Sequence, residues 1–231
     1  MDKNTQKELL TIVKDNYESI AAEFDETRKK GIWPELLNLT RDVKDGDKML
    51  DAGCGNGRLL EAFAGKKIKY LGIDQSENLI TLAQKQYPES EFAVADILDL
   101  GKINELDFDF VYSIAVLHHL PDQELRINAL RQMKNKIKDD GRIIISAWNL
   151  WANKKNKKLI WKYFFLKLIG KNKMDFGDIL FHWKNEAEDV SKKRYYHAFT
   201  KWELTRLVKK SGLKIEKLYK DEYNYYLVLK K

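Results

Sequence analysis

The sequence predicts an α/β protein with a seven-stranded, mainly parallel sheet that carries helices on both faces. From residue 46 onward, short apolar segments alternate with segments of helical apolar spacing, and turn residues such as Asp140 and Gly141 separate them. The chain has 231 residues, which suits one domain of this class. We expect a single domain over 1–231, with a helical extension at 1–45, a core at 46–148, a cap insertion at 149–195, and a closing helix and strands at 196–231.

The N-terminal extension is expected to be helical. Leu9, Val13 and Ile20 lie at helical spacing within 5–24, and Pro34 suits the first turn of a second helix. Beyond the extension, apolar runs bounded by turn residues predict strands, and amphipathic runs predict the helices between them. The expected strands cover 48–51, 69–74, 91–95, 108–114, 142–147, 213–219 and 225–230, and the expected helices cover 58–63, 77–86, 122–137 and 201–211.

Residues 149–195 interrupt this alternation. They are rich in lysine and aromatic residues and lack a clear strand pattern, so we expect a basic helical insertion after the fifth strand. The apolar run at 159–169 is too short to span a membrane. We expect it to pack as a cap helix, and contact with a membrane surface is the alternative.

Positive charge is concentrated in the C-terminal third. Residues 1–148 carry a net charge of −5, whereas 149–231 carry +12. Such a field favours a polyanion such as RNA, or an anionic membrane surface, and the alternative is a set of solvated lysines.

The cysteine content limits which disulfides and metal sites this chain can form. The single Cys54 excludes an intramolecular disulfide and a zinc site built from several thiolates of this chain, and we expect no metal site. The N-terminus has no apolar signal core, so a cytoplasmic protein in a reducing compartment is expected.

A glycine-rich turn follows the first strand. It runs from Asp51 to Gly57 with the spacing D-x-G-x-G-x-G. Gly53, Gly55 and Gly57 permit a tight turn and close approach of a ligand to the backbone. A carboxylate at the mouth disfavours a pyrophosphate and suits a cationic ligand.

Two further acids follow the next strands. Asp74 ends the second strand, where a carboxylate can accept hydrogen bonds from both hydroxyls of a ribose. Asp96 follows the third strand, where it can accept from the exocyclic amine of an adenine while Ile97 packs near the ring.

Together these residues resemble the motif set of class I, Rossmann-like methyltransferases, over roughly residues 46–148. The resemblance implies S-adenosylmethionine as the methyl donor, since its ammonium and sulfonium groups are both cationic. It also places Gln75, beside the second acid, and Ser113 and Ala115, after the fourth strand, at the donor. An NAD site and a glycine turn with incidental surface acids are the alternatives.

His118 and His119 lie at the position that lines the methyl-transfer pocket in this class. Structural positioning of the donor or acceptor is one role for His118, and direct proton chemistry is another. Metal binding is disfavoured, because adjacent residues on a turn rarely bind one ion and no carboxylate lies close in sequence.

The two ends of the chain resemble a narrower family, the tRNA methyltransferases that esterify 5-carboxymethyluridine at the wobble position. The similar segments are 17–21, 24–28, 33–34, 177–180, 183–184 and 194–200. The resemblance implies tRNA as a partner and an acceptor carboxylate that is already ionised at neutral pH. Arg28 is the expected clamp for that carboxylate, with Arg194 and His197 as further candidates for the pocket or for RNA phosphate.

Members of this family often work with a small zinc-ribbon subunit that adds a strand to the sheet edge, here expected at 91–95. The C-terminal stretch 221–225 departs from the family pattern, because a basic residue is missing and Tyr225 stands where the family has Trp. Two alternatives stay open. One is a small-molecule O- or C-methyltransferase acting on a quinone precursor or another metabolite. The other is an inactive, donor-binding RNA-binding subunit.

Overall fold

The computed structural model describes residues 1–27, 31–184 and 191–231. Three helices precede the sheet: α1 (Lys3–Ser19), α2 (Ala21–Thr27) and α3 (Pro34–Thr40). The Asp2 carboxylate caps α1 by accepting a hydrogen bond of 2.9 Å from the backbone N–H of Thr5. Pro34 occupies the first turn of α3, where its missing N–H costs nothing. The predicted N-terminal helices are confirmed.

The main sheet has seven strands, and its predicted, mainly parallel character is confirmed. Its strands are β1 (Lys48–Ala52), β2 (Lys69–Asp74), β3 (Glu91–Val94), β4 (Phe108–Ile114), β5 (Ile137–Trp148), β8 (Lys214–Lys220) and β9 (Asn224–Lys230). The five strands β1 to β5 are mutually parallel and lie in the order β3-β2-β1-β4-β5, and β9 and β8 extend the sheet in antiparallel fashion beyond β5. The carboxyl ends of the five parallel strands therefore share one edge, where ligands bind in open α/β sheets.

Helices cover both faces, as predicted. The longer ones are α4 (Glu77–Gln86), α5 (Gln123–Lys134) and α7 (Lys201–Ser211), and short 3₁₀ helices span Arg58–Phe63, Ile97–Lys102, Leu117–His119 and Leu150–Ala152. The segment Arg58–Phe63 is thus a 3₁₀ helix and not an α-helix. Left-handed glycines at Gly57 and Gly65 bound it closely, which leaves room for a short helix only.

Two apolar cores sandwich the sheet because side chains alternate across each strand. On β1, Met49 packs with Phe63 on one face, whereas Leu50 packs with Ile127 and Leu207 on the other. Both β1 residues have no exposed surface, so the central strand is anchored from both sides.

The insertion between β5 and α7 differs from the prediction. Its helix α6 (Lys154–Leu168) is present, but β6 (Asp178–Lys184) and β7 (Ser191–His197) form a separate antiparallel pair. The expectation of an insertion without strands was therefore wrong. Tyr195 and Tyr196 are both buried, each in a different apolar cluster, so β7 is covered on both faces. A strand covered on both faces lacks the polar–apolar alternation that reveals a half-buried strand.

β3 lies at the edge of the sheet, as expected for the strand at 91–95. Within the described parts of the chain, no helix is both long and apolar enough to cross a membrane.

Candidate active site

The glycine turn after β1 is tied to the neighbouring strand. The backbone N–H groups of Gly53 and Cys54 both donate to the carbonyl of Ile73, each at 2.8 Å. Gly53 has a φ of +87°, and a Cβ there would lie 2.3 Å from Cγ2 of Val116. Both the backbone conformation and the close approach therefore require glycine at this position.

Asp51 lies at the end of β1 beneath this turn and is 2% exposed. One carboxylate oxygen, Oδ2, accepts a 2.8 Å hydrogen bond from the hydroxyl of Tyr70. The other, Oδ1, is buried and has no hydrogen-bond partner within the described residues. Burial raises the pKa of Asp51 to about 7, and the nearby Asp74 carboxylate adds to the effect. A cationic partner would therefore stabilise the ionised form of this carboxylate.

Asp74 closes β2 and organises the turn. Its Oδ2 accepts from the backbone N–H of Gly55 at 3.0 Å, and its Oδ1 accepts from that of Ser76 at 3.0 Å. Burial raises the pKa of Asp74, although these backbone hydrogen bonds oppose the rise. The carboxylate is thus fixed in orientation at the mouth of the turn.

A cavity of about 290 Å³ opens along the carboxyl ends of these strands. Asp96, which caps the following 3₁₀ helix by accepting from Leu98 N–H at 2.9 Å, borders the far side of this cavity. The cavity brings together eight of the predicted donor residues: Asp51, Gly53, Gly55, Asp74, Gln75, Asp96, Ile97 and Ala115. Ala115 adopts a φ of +59°, an uncommon conformation for alanine that often marks a functional site.

Two predicted donor residues do not line this cavity. Gly57 lies beneath the turn, where a Cβ would approach ring atoms of Tyr87 and Phe92 at 3.0 Å, so its role is close packing. Ser113 has no exposed surface and lies within β4, one residue before the part of the strand that reaches the cavity.

His118 also does not reach the cavity, which corrects its placement as a catalytic candidate. The ring has no exposed surface and stacks on Trp148 and Tyr196, with centroid distances of 5.0 and 5.7 Å. Because the backbone N–H of Trp148 donates to Nδ1 at 3.2 Å, that nitrogen carries no proton. Burial also holds the pKa of His118 well below its usual range. His118 is a neutral packing residue behind Trp148, which lines the cavity.

His119 lines the cavity instead. Its Nε2 lies 2.7 Å from the hydroxyl of Tyr17, which α1 brings over the cleft. Burial lowers the pKa of His119 to about 4, and repulsion from Arg194 contributes to the drop. At neutral pH this imidazole is therefore an uncharged hydrogen-bonding group.

Arg194 lines a smaller recess of about 50 Å³. The recess adjoins the cavity of about 290 Å³, since Tyr17, His119 and Trp148 line both. The half-buried Arg194 side chain therefore lies beside the cavity that the predicted donor residues line.

His197 belongs to a buried ion cluster and is 1% exposed, so its placement as a site candidate was wrong. Its Nδ1 lies 2.6 Å from Asp178 and its Nε2 lies 2.8 Å from Glu203. Arg126 contacts both acids, at 3.2 and 3.4 Å. The cluster fastens β6 and β7 to α5 and α7, and it does not border the cleft.

Arg28 lies outside the described residues, so its role as a clamp stays a prediction. The described parts of the chain contain no group of three or more histidine, cysteine or acidic side chains placed to hold a metal ion.

Several lining residues were missed by the sequence reasoning. They come from distant segments: Tyr17 and Phe24 from the N-terminal helices, Arg58 from the end of the glycine turn, and Trp148 and Asn224 from the ends of β5 and β9. Tyr17 and Phe24 fall in segments that resemble the wobble-uridine family, and that resemblance was the available signal. No sequence signal pointed to Arg58 or Trp148.

The chain is similar in sequence to known methyltransferases. A family model described as a methyltransferase domain matches residues 43–212. The tRNA (carboxymethyluridine(34)-5-O)-methyltransferase of Saccharomyces cerevisiae is 37% identical over 134 residues, which cover 58% of this chain and 47% of that protein. The chain therefore spans about half the length of that relative. The protein of the same name from Schizosaccharomyces pombe is 26% identical over 223 residues, covering 93% of this chain and 94% of that protein.

The fold is shared with solved structures. A methyltransferase from Methanosarcina mazei, which is dependent on S-adenosylmethionine, has a TM-score of 0.70 at 20% identity and covers 87% of this chain and 99% of that chain. The family model spans well over half of the present chain. The chain therefore belongs to the methyltransferase domain family, with the fold of S-adenosylmethionine-dependent methyltransferases.

Proposed function

We propose that this chain transfers a methyl group from S-adenosylmethionine to the carboxylate of 5-carboxymethyluridine at the wobble position of tRNA. The observation that carries the proposal is that the donor cavity adjoins a recess lined by Arg194, with Tyr17, His119 and Trp148 as shared walls. Carboxylates suited to a cation and a guanidinium suited to an anion thus lie on neighbouring parts of one face of the molecule. The names of the fungal relatives support the same reaction.

The residues present fit the donor. The Oδ1 of Asp51, which has no hydrogen-bond partner among the residues that the structure describes, suits an ammonium group, and the bare backbone at Gly53 leaves room for close approach. Asp74 and Gln75 suit the ribose, and Asp96 with Ile97 suits the adenine. When bound, the donor supplies a methyl group activated by a positively charged sulfur.

The acceptor needs orientation more than activation. A carboxymethyl group has a pKa of roughly 4 to 5 by analogy with side-chain acids, so it is an anion at neutral pH and needs no general base. Arg194 can hold one carboxylate oxygen while the other faces the donor. Tyr17, His119 and Trp148 line the cleft, and an acceptor bound against them would lose water from its carboxylate, which strengthens a weak oxygen nucleophile. The neutral state of His119 is consistent with this scheme.

The experiment is incubation of the chain with labelled donor and bulk tRNA that lacks the final methyl ester, followed by nucleoside mass analysis. We expect label in the methyl ester of 5-carboxymethyluridine. Arg194→Gln should lower kcat/KM for tRNA by about 10- to 100-fold, as expected for loss of a charged hydrogen bond, with unchanged donor affinity.

Lys193→Gln is the matched control, since Lys193 is the preceding residue of β7 and its side chain is exposed. Equal losses in the two variants would indicate a general electrostatic effect and would remove Arg194 from the acceptor site. No transfer to this tRNA, with or without a zinc-ribbon subunit, alongside turnover of a small metabolite, would reject the proposal.

The alternatives are less well supported. A small-molecule substrate is not favoured by the names of the sequence relatives. An inactive RNA-binding subunit is disfavoured by the intact donor constellation around Asp51 and Asp74. Action on tRNA implies a cytoplasmic location as part of the same proposal.

We also propose that a small zinc-ribbon subunit binds this chain by adding a strand to β3. β3 is an edge strand, and Val94 is 51% exposed beside a groove lined by Phe92, Asp99 and Lys102. Val94→Asp should abolish copurification with such a subunit while donor affinity of the isolated chain stays unchanged. Copurification that survives this substitution would place the subunit elsewhere.

A further inference from the structure

The helix α6 has two apolar faces, of which the fold uses one. Its inner face packs Ile160 into the cluster around Ile179 and Tyr196, with Leu159 and Tyr163 against it. This packing explains the helix as a cap on the domain. It leaves the opposite face unexplained, because that face also carries large apolar side chains.

The outer patch consists of Trp161, Phe165, Leu168 and Ile169 on α6 and its C-terminal end, together with Phe176 from the following loop. Their exposed fractions run from 50% to 63%. The aromatic rings of the patch contact one another. The ring centroid of Phe165 lies 6.1 Å from that of Trp161 and 5.6 Å from that of Phe164. The centroid of Phe164 lies 5.2 Å from that of Phe176. Leu168 and Ile169 follow Phe165 by three and four residues and so extend the same helical face.

Such a patch is unusual on a free protein surface. Monomeric proteins rarely expose contiguous apolar patches beyond a few hundred Å², and larger ones mark interaction sites. Scattered exposed apolar residues elsewhere, such as Leu37 and Trp202, need no such explanation.

The charge around the patch is mainly positive, and Asp175, the acid beside Phe176, pairs with the amino terminus at 3.1 Å. Residues 149–174 contain no Asp or Glu, and the described residues place no carboxylate in an ion pair with the lysines of this segment. All of these lysines except the half-buried Lys167 are exposed: Lys154, Lys155, Lys157, Lys158, Lys162, Lys171 and Lys173. A cationic rim around an apolar strip suits a partner that is anionic at its surface and apolar beneath.

We propose that the outer patch of α6 and its rim of lysines dock this chain in the plane of an anionic phospholipid surface. Lysines meet the headgroup phosphates, while the aromatic and aliphatic side chains enter the boundary with the acyl chains. RNA matches this surface less well: lysines pair with its phosphates and rings stack on its bases, but Leu168 and Ile169 offer a base no stacking surface. The proposal is independent of the acceptor of the methyl group.

The test is flotation of the full chain with vesicles of phosphatidylcholine alone and of phosphatidylcholine mixed with phosphatidylserine. We expect flotation with the mixed vesicles and none with the neutral ones, and high salt should weaken it. Lys154→Gln/Lys157→Gln/Lys158→Gln should weaken partitioning by about a hundredfold, since one lysine near such a surface contributes about fivefold. Phe165→Ser/Leu168→Ser should weaken it by about tenfold or more.

Trp202→Ser is the matched control, because Trp202 is 70% exposed on α7, outside the patch. It should float like the unaltered chain, and all variants should retain donor affinity and the circular dichroism spectrum. Three results would overturn the proposal: no flotation with mixed vesicles at low salt, flotation unaffected by Phe165→Ser/Leu168→Ser, or a dimer that this double variant dissolves. Loss of tRNA affinity in the double variant with vesicle binding intact would assign the patch to RNA and overturn it as well.

Discussion

Replacing Asp51 by asparagine should stabilise the protein without its donor and weaken donor binding at the same time. The Asp51 carboxylate is buried, and one of its oxygens has no hydrogen-bond partner within the described residues. Burial raises its pKa from the ordinary value of 3.8 to about 7. The variant Asp51→Asn removes the ionisable group, and its amide keeps an oxygen that can accept from the Tyr70 hydroxyl.

The direction in which the stability of the donor-free chain changes with pH follows from proton linkage. Between pH 3.8 and about 7 the folded chain retains a proton on Asp51 that the unfolded chain has released, so stability falls as pH rises through this window. Above about pH 7 the folded chain has also released the Asp51 proton, so stability falls no further from this group. A shift of about three pKa units corresponds to about 4 kcal/mol at 1.36 kcal/mol per unit. Asparagine cannot ionise and avoids this loss.

The assay is thermal or urea unfolding of the donor-free chain from pH 5 to 8.5. We expect the stability advantage of Asp51→Asn to grow with pH and to approach about 4 kcal/mol at pH 8, or about 2 to 4 °C in Tm for each kcal/mol. Asp139→Asn, at a fully exposed site, is the control and should show no such trend. A variant that is less stable than the unaltered chain at pH 8, or a parallel pH profile, would refute the reasoning.

Donor binding should move in the opposite direction. The ionised carboxylate is the form that pairs with an ammonium group, so donor affinity of the unaltered chain should rise as pH increases through about 7. Asp51→Asn should lose about 10- to 100-fold in affinity and become insensitive to pH in this range, as measured by calorimetry. Equal donor affinity in both proteins would contradict the assignment of Asp51 to the donor site.

Three other substitutions test the site and its support. Gly53→Ala should lower the free energy of unfolding in urea by about 2 to 5 kcal/mol, because the backbone there is left-handed and the new methyl group would clash with Val116. Gly46→Ala is the control, since Gly46 has a φ of +91° but open space around it, and it should lower that free energy by only about 1 to 2 kcal/mol. Arg126→Met leaves the Asp178 carboxylate buried without its cation and should lower the free energy of unfolding by about 3 to 5 kcal/mol. The same change at Arg131, whose guanidinium hydrogen bond is exposed, is the control and should lower it by under about 1 kcal/mol. Equal losses in urea unfolding would show that the buried cluster contributes little to stability. Tyr17→Phe removes the hydroxyl that contacts His119 and should raise KM for the acceptor with donor affinity unchanged, so a change in donor affinity alone would place Tyr17 at the other end of the cleft.

The predicted donor end of the cleft could be proposed from the sequence because its determinants are local. A strand that ends in Asp51 and a glycine turn brings carboxylate and bare backbone together within a few residues, whatever the rest of the chain does. Parallel strands then bring Asp74 and Asp96 to the same edge, since their carboxyl ends align. Eight of the ten predicted donor residues border the cavity for this reason.

The proposed acceptor end of the cleft depends on contacts between distant segments, which no local pattern reports. The packing of Trp148 and Tyr196 against His118 accompanies its burial, while its neighbour His119 lines the cavity. Likewise, Arg194 and His197 lie three residues apart on β7, yet one borders the recess and the other joins a buried ion cluster. The sequence by itself determined the sheet and the donor turn, because periodicity and turn chemistry act over a few residues. The tertiary structure alone decided the proposed acceptor wall, because its residues come from distant segments. It also decided the strands of the insertion, because burial on both faces erases the alternation that would have revealed them.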